Sequence, residues 1–212
     1  MKYYSILEDS EAEHIVEKSR FITYTKPVGT EAEAAAFIAQ IKKKNYSASH
    51  NVSAYVIGAT SDIKRYSDDG EPSGTAGMPA LDTMLKKGIT NTCVVITRYF
   101  GGVKLGTGGL VKAYTEATKL GLEASKIIEY RQMLKYQIVA SYDLSQKIQY
   151  KLQNTPAHII SVEYLENVSF FIYLDENEKS LITDLINLTS SKIEIIELDS
   201  EYVKFLGNDI IN

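Results

Sequence analysis

Asp68, Asp69 and Glu71 put three carboxylates within four positions of a glycine-rich stretch, Asp68-Asp69-Gly70-Glu71-Pro72-Ser73-Gly74-Thr75-Ala76-Gly77. Carboxylates so spaced can share a hard cation, since Mg²⁺ is often held by one or two of them plus a substrate phosphate. They can also act as a general base. The competing reading is structural: the acids cap glycine turns or pair with Arg65 and Arg98. Without further ligands at metal spacing, no metal or cofactor is expected. Ser73 and Thr75 add hydroxyls, but glycines do not flank the serine at two positions either side, as a nucleophile elbow requires.

A second stretch, Arg98-Tyr99-Phe100-Gly101-Gly102-Val103-Lys104-Leu105-Gly106-Thr107-Gly108-Gly109-Leu110, leads from an apolar run into a helical pattern. Exposed amides ahead of a helix, with its dipole behind them, favour an anion. Arg98, Lys104 and Lys112 supply positive charge, and Thr107 and Gly108 fall where such an anion would sit. The stretch is neither a phosphate-binding loop of the Gly-Lys-Ser/Thr type nor a dinucleotide fingerprint, whose sixth position here is Val111. Close packing of strand on helix explains the same glycines, and both readings stay open. His50, just before a strand, is either a site residue or a turn histidine. His14 and His158 lack partners at ligand spacing, and Cys93 in an apolar run reads as an inert core thiol.

These residues need elements to hold them. Glu13 to Lys18 and Phe21 to Val28 read as strands, and Thr30-Glu31-Ala32-Glu33 is a capping box. The helix it opens buries Ala34, Phe37, Ile38 and Ile41 and closes on Lys42-Lys43-Lys44, a solvated terminus suited to the dipole. Val52 to Ala59 and Ile63 to Ser67 read as strands, and Met78 to Lys87 as a helix stopped by Gly88. Cys93 to Thr97 is a strand; Gly101 to Gly109 reads as a loop, and Leu110 to about Ile128 as a long helix. Beyond it, Met133 to Ser141, Ile159 to Leu165, Phe170 to Leu174 and Ile193 to Leu198 are strands, with helices over Leu144 to Gln153 and Ser180 to Leu188. That order is β-α-β-β-α-β, the ferredoxin-like pattern.

A boundary near Tyr130 follows from composition as well. Of 13 glycines, 9 lie from Gly70 to Gly109, and only Gly207 lies beyond Gly121. Residues 1–130 carry 16 Lys+Arg against 15 Asp+Glu, whereas 131–212 carry 7 against 12. The sequence therefore predicts an α+β chain with domains at 1–130 and 131–212, function seated in the first. Bulk charge, −4 over 212 residues, does not favour nucleic acid, so any such contact must be a local patch. The start Met1-Lys2-Tyr3-Tyr4-Ser5 lacks a secretory apolar run, and no apolar stretch approaches the ~20 residues of a membrane span. A single cysteine excludes an internal disulfide, and the cytoplasm is the expected compartment.

Ser19-Arg20-Phe21-Ile22, His50-Asn51, Ala54-Tyr55, Ile57-Gly58, the run Asp68 to Gly77 and Arg98-Tyr99-Phe100-Gly101-Gly102 together resemble the YigZ/IMPACT family, as do Lys104-Leu105-Gly106, Gly108-Gly109-Leu110-Val111 and Ala113-Tyr114. They span about residues 19 to 114 in the family's order; residues 135–212 resemble the small C-terminal domain of bacterial members. Val52 departs from a His-Asn-Cys run common among relatives, so no thiol chemistry carries over there. The resemblance implies a first domain like the second domain of a small-subunit ribosomal protein, as in domain IV of elongation factor G, and a ferredoxin-like second domain. It implies work near translation, for eukaryotic members are linked to control of an initiation-factor kinase through a partner protein.

The expectation is a non-catalytic binding or regulatory protein, tied to translation and stress response, that contacts RNA, the ribosome or a protein partner. The expected cleft is formed by His50, Asp68, Asp69, Glu71, Ser73, Thr75, Arg98, Tyr99, Lys104, Thr107 and Gly108, with Tyr66 and Tyr99 as exposed stacking aromatics. The alternative is an enzyme acting on a phosphorylated small molecule through the glycine stretch and the acidic cluster.

Overall fold

The computed structural model describes residues 2–211 and shows an α+β chain of two compact units. One comprises residues 2–130 together with those from Lys204 on; the other is Arg131–Val203.

In the first unit, β1 (Lys2–Ile6) precedes a five-stranded antiparallel sheet. Its strands are β2 (Ser10–Val16), β3 (Ser19–Pro27), β4 (His50–Ile57), β5 (Ile63–Ser67) and β6 (Thr92–Tyr99), ordered β2-β3-β6-β4-β5. β6 thus stands between β3 and β4, pairing Phe21 with Arg98 on one side and His50 with Arg98 on the other. Both faces of this central strand are buried, which explains its unbroken apolar run. Val94 and Ile96 face α2 (Gly77–Lys86) and α3 (Gly106–Ala124), packing with Met84, Leu110 and Tyr114. Cys93 and Val95 face α1 (Glu31–Lys44), against Phe37 and Ile41. Side chains alternate along a strand, so Arg98 shares the α2/α3 face while Tyr99 shares the α1 face. α1 begins as its sequence dictates: the Thr30 hydroxyl accepts from the Glu33 amide at 3.2 Å while the Glu33 carboxylate accepts from the Thr30 amide.

Burial pushes the Cys93 thiol up to about 12. Its proton is held more tightly folded than unfolded, so its stabilising contribution is complete below about pH 9 and is lost as pH rises towards 12. At pH 8 the folded protein should therefore resist a thiol reagent that modifies the urea-unfolded chain at once; rapid labelling of the folded state would contradict this packing.

β7 (Ile127–Ala140) leads into the second unit, which continues with α4 (Tyr142–Gln153), β8 (His158–Tyr164), β9 (Val168–Leu174), α5 (Ser180–Leu188) and β10 (Glu194–Leu206). The strand order β10-β7-β9-β8 is ferredoxin-like. Val168, Phe170, Ile172 and Leu174 alternate inward from β9 onto Ile148, Leu152, Leu181 and Leu185 of the helices. β11 (Asp209–Ile211) turns back on the end of β10 through Gly207, whose φ of 65° suits a tight reversal. No helix among the described residues is long and apolar enough to cross a membrane.

The largest departure from the sequence reading is at α3. It begins at Gly106, not Leu110, so Gly106 to Gly109 are its first turn and not a loop. It ends at Ala124, and the chain from Ile127 is already β7.

Candidate functional site

The end of β6, the start of β4, the loop Asp68–Gly77 and α3 meet on the α2/α3 face of the first sheet. His50 and Arg98 are register partners there, and Glu71 is lowered onto them by the loop. Arg98 Nη1 donates to Glu71 Oε1 at 2.6 Å, and the Tyr114 hydroxyl donates to the same oxygen at 2.8 Å. All three side chains are buried. Burial, and then the adjacent Glu71 carboxylate, push the Tyr114 phenol far above its usual range, so it stays a donor. The Arg98 guanidinium lies between aromatic rings, 5.4 Å from Phe21 and 5.6 Å from Phe100. Gly101 follows Phe100, and a Cβ there would collide with the Lys18–Ser19 backbone, so this turn admits no side chain.

The other two acids hold the loop. Asp68 accepts from the amides of Gly74 at 2.8 Å, Ala76 at 3.1 Å and Gly77 at 2.7 Å, which ties the loop and supplies the cap that the start of α2 lacks. Asp69 accepts from the Asn51 amide at 2.6 Å and pairs with Lys42 at 2.6 Å, tying the end of α1 to the start of β4. Its φ of 48° is one that Asp tolerates better than most residues. The Asp69 carbonyl accepts from His50 Nδ1 at 2.8 Å, which sets that nitrogen as the protonated one. His50 Nε2 then faces Glu71 Oε2 at 3.8 Å, beyond hydrogen-bond reach. The acids are thus occupied by backbone amides, a lysine, an arginine and a tyrosine. Among the described residues, no group of three or more His, Cys, Asp or Glu is placed to hold a metal.

A cavity of about 310 Å³ opens beside this cluster, lined among others by Glu71, Arg98, Phe100, Lys104, Thr107 and Leu110. Of the residues singled out in the sequence, Glu71, Arg98, Lys104 and Thr107 come together here, with His50 adjoining Glu71 and Asp69 adjoining through His50. Gly108 lies in the same first turn of α3. Asp68 and Thr75 shape the loop, Thr75 donating to the Pro72 carbonyl at 2.7 Å. Ser73 is exposed and does not line the cavity. Tyr99 is on the opposite face of the sheet, where its hydroxyl donates to Asn45 Oδ1 at 3.0 Å. It is therefore not an exposed stacking aromatic; that description fits Phe100, 51% exposed, along with Tyr66. Arg65, which the structural reading offered as one partner of the loop acids, lies instead near Glu31 at 3.7 Å. Phe100 and Tyr114 are the site residues the sequence reading missed. Alternation along Arg98-Tyr99-Phe100 carried the signal for Phe100, since it must return to the face of Arg98.

Residues 17–122 match the Impact N-terminal domain, and residues 138–192 match a domain of unknown function, DUF1949. The chain is 41% identical over 209 residues to the Bacillus subtilis IMPACT family member YvyE, covering 98% of this chain and 96% of that one. It is 34% identical over 151 residues to the Escherichia coli IMPACT family member YigZ, covering 70% and 74% respectively. A crystal structure of a hypothetical protein, 28% identical, superposes with a TM-score of 0.58 over 94% of this chain and 98% of that one.

Proposed function

The chain belongs to the IMPACT family, and from that premise we propose that it is a non-catalytic binding protein of translation, holding ribosomal RNA on the Phe100–Lys104 face of its first unit. The observation that carries this reading is Phe100. A half-exposed aromatic ring, backed by a buried guanidinium and followed four residues later by a lysine on the same cavity, is a platform for a base with a cation for its phosphate. Stacking is worth roughly 1–3 kcal/mol per base, and needs no basic stripe over the rest of the surface. The neutral charge balance of the first unit fits a weak, salt-sensitive association.

The enzyme reading finds less support, because each loop acid already serves a structural donor and none is left as a general base. The test is sedimentation of lysate through a gradient at low and moderate salt. The protein should travel with ribosomal particles at low salt, and Phe100→Ala and Lys104→Ala should each move most of it to the top. Wild-type protein that stays at the top at low salt would sink ribosome binding.

A further inference from the structure

We infer that the outer edge of β8 is where a second copy of this chain docks, the two β8 strands pairing antiparallel about Val162 and joining their sheets into one. The surface belongs wholly to the second unit and stands apart from the RNA reading.

β8 ends its sheet: β9 lies on one side, and among the described residues no strand or loop pairs with Ile160–Tyr164 on the other. An open edge is a template for another chain, and proteins blunt it with lysine, proline or a very short strand. β8 runs for 7 residues without lysine, arginine or proline, and Glu163 is its one carboxylate. It does carry a bulge, but the residue at the bulge is Ile160, whose exposed apolar side chain repels nothing. Tyr164 and Leu165 continue the same exposed apolar edge.

Charge decides what the edge accepts. Residues 131–212 carry 7 Lys+Arg against 12 Asp+Glu, so two copies repel wherever their charged faces meet. Beside β8 that charge is missing. α4 directs Lys147 to the Leu188 carbonyl at 2.9 Å and Lys151 to Asp184 at 3.2 Å, both on the α5 side. Towards β8 it presents Tyr142, Gln149 and Gln153, successive at helical spacing, with the Tyr142 ring 6.5 Å from that of Tyr164. Tyrosine-bearing surface depleted of charge is the composition of an interface centre. A nucleic acid would find no cation there, whereas a second copy would meet an equally neutral surface.

The strand is also complementary to itself. Val162 and Tyr164 pair with Phe170 and Val168 and share the helix-covered face; Ser161 and Glu163 pair with Phe171 and Ser169 on the other. Centring on Val162 sets Ser161 against Glu163 of the second copy, so each carboxylate meets a hydroxyl donor. Centring on Glu163 would oppose the two carboxylates, and centring on Ser161 would set Glu163 against Ile159, which packs on the helix side.

The experiment is sedimentation equilibrium of the full chain over a wide range of concentration. Wild type should pass from monomer to dimer. Ile160→Lys and Tyr164→Lys, both at exposed positions, should each weaken the dimer about tenfold or more while far-UV circular dichroism shows an unchanged Tm. On mild oxidation Val162→Cys should cross-link copy to copy, since the two thiols stand opposite each other, whereas Ser161→Cys, out of step with itself, should not. The natural Cys93 is buried and does not compete. A chain that stays monomeric throughout, even one that takes up an extended segment of another protein, would defeat the second copy as occupant. Lysine variants that dimerise as well as wild type, or cross-linking through position 161 in place of 162, would overturn the pairing.

Discussion

Glu71→Ala should destabilise the first unit by about 3–5 kcal/mol, the usual cost of stranding one member of a buried ion pair. Arg98 would remain 6% exposed with Nη1 joining Nε as a donor without acceptor, and the Tyr114 hydroxyl would lose its partner as well. Glu71→Gln keeps an acceptor oxygen but not the charge, so its loss should be intermediate. The double variant Glu71→Ala/Arg98→Ala should lose clearly less than the sum of the single variants, because the pair fails as a unit. Urea unfolding followed by far-UV circular dichroism measures all of these. A Glu71→Ala loss below about 1 kcal/mol would mean that the pair is solvated and that the buried network does not organise the site. Alanine scanning of the cleft therefore cannot treat its residues alike: Glu71 and Arg98 support the fold, while Phe100 and Lys104 are exposed enough to be removed without it.

Asp68→Ala should cost about 2–4 kcal/mol, since three amides donate to one carboxylate and bonds to a charged acceptor run at roughly 1.5–3 kcal/mol each before relaxation. The start of α2 has Ala76 at its cap and no cap of its own, so Asp68 does from eight positions upstream what a neighbouring Ser or Asp usually does. Asp68→Asn should recover part of the loss: its oxygen can still accept from Ala76 and Gly77, while its amide group would face the Gly74 donor. Hydrogen exchange on the amides of residues 74 to 77 reports this locally. Unchanged protection there in Asp68→Ala would refute the capping role, whatever happens to global stability.

Much of this architecture was legible in the residues. Thr30 and Glu33 announce α1 and its cap because the capping box is local chemistry, complete within four positions. Val168 to Leu174 shows its buried face by alternation alone. The start of α3 was not legible, because Gly106, Gly108 and Gly109 have poor helix propensity and the helix is held by distant partners of Leu110, Tyr114 and Ala117 across the sheet. β1 is a short piece whose partner, β7, lies far along the chain, and β11 is a strand of only 3 residues. At the site, the gathering of carboxylates was visible, but not that each already had a donor: Lys42, Tyr114 and the amides of Gly74 to Gly77 lie up to 43 positions away. Counting acids in a sequence says nothing about which are already occupied.

The position of β6 between β3 and β4 sets a timetable for the newborn chain. Residues emerge in order, so the segments of the β2–β3 and β4–β5 hairpins are both synthesised before the strand that must join them. Until Thr92–Tyr99 has been synthesised, the edges of β3 and β4 that it will join have no strand to pair with. Closure then adds both ladders of β6 at once and brings Arg98, at its far end, between Phe21 and His50. The cleft therefore cannot be assembled before β6 is made, and a nascent chain released before residue 92 would carry both hairpin segments but neither Arg98 nor the cleft wall it forms.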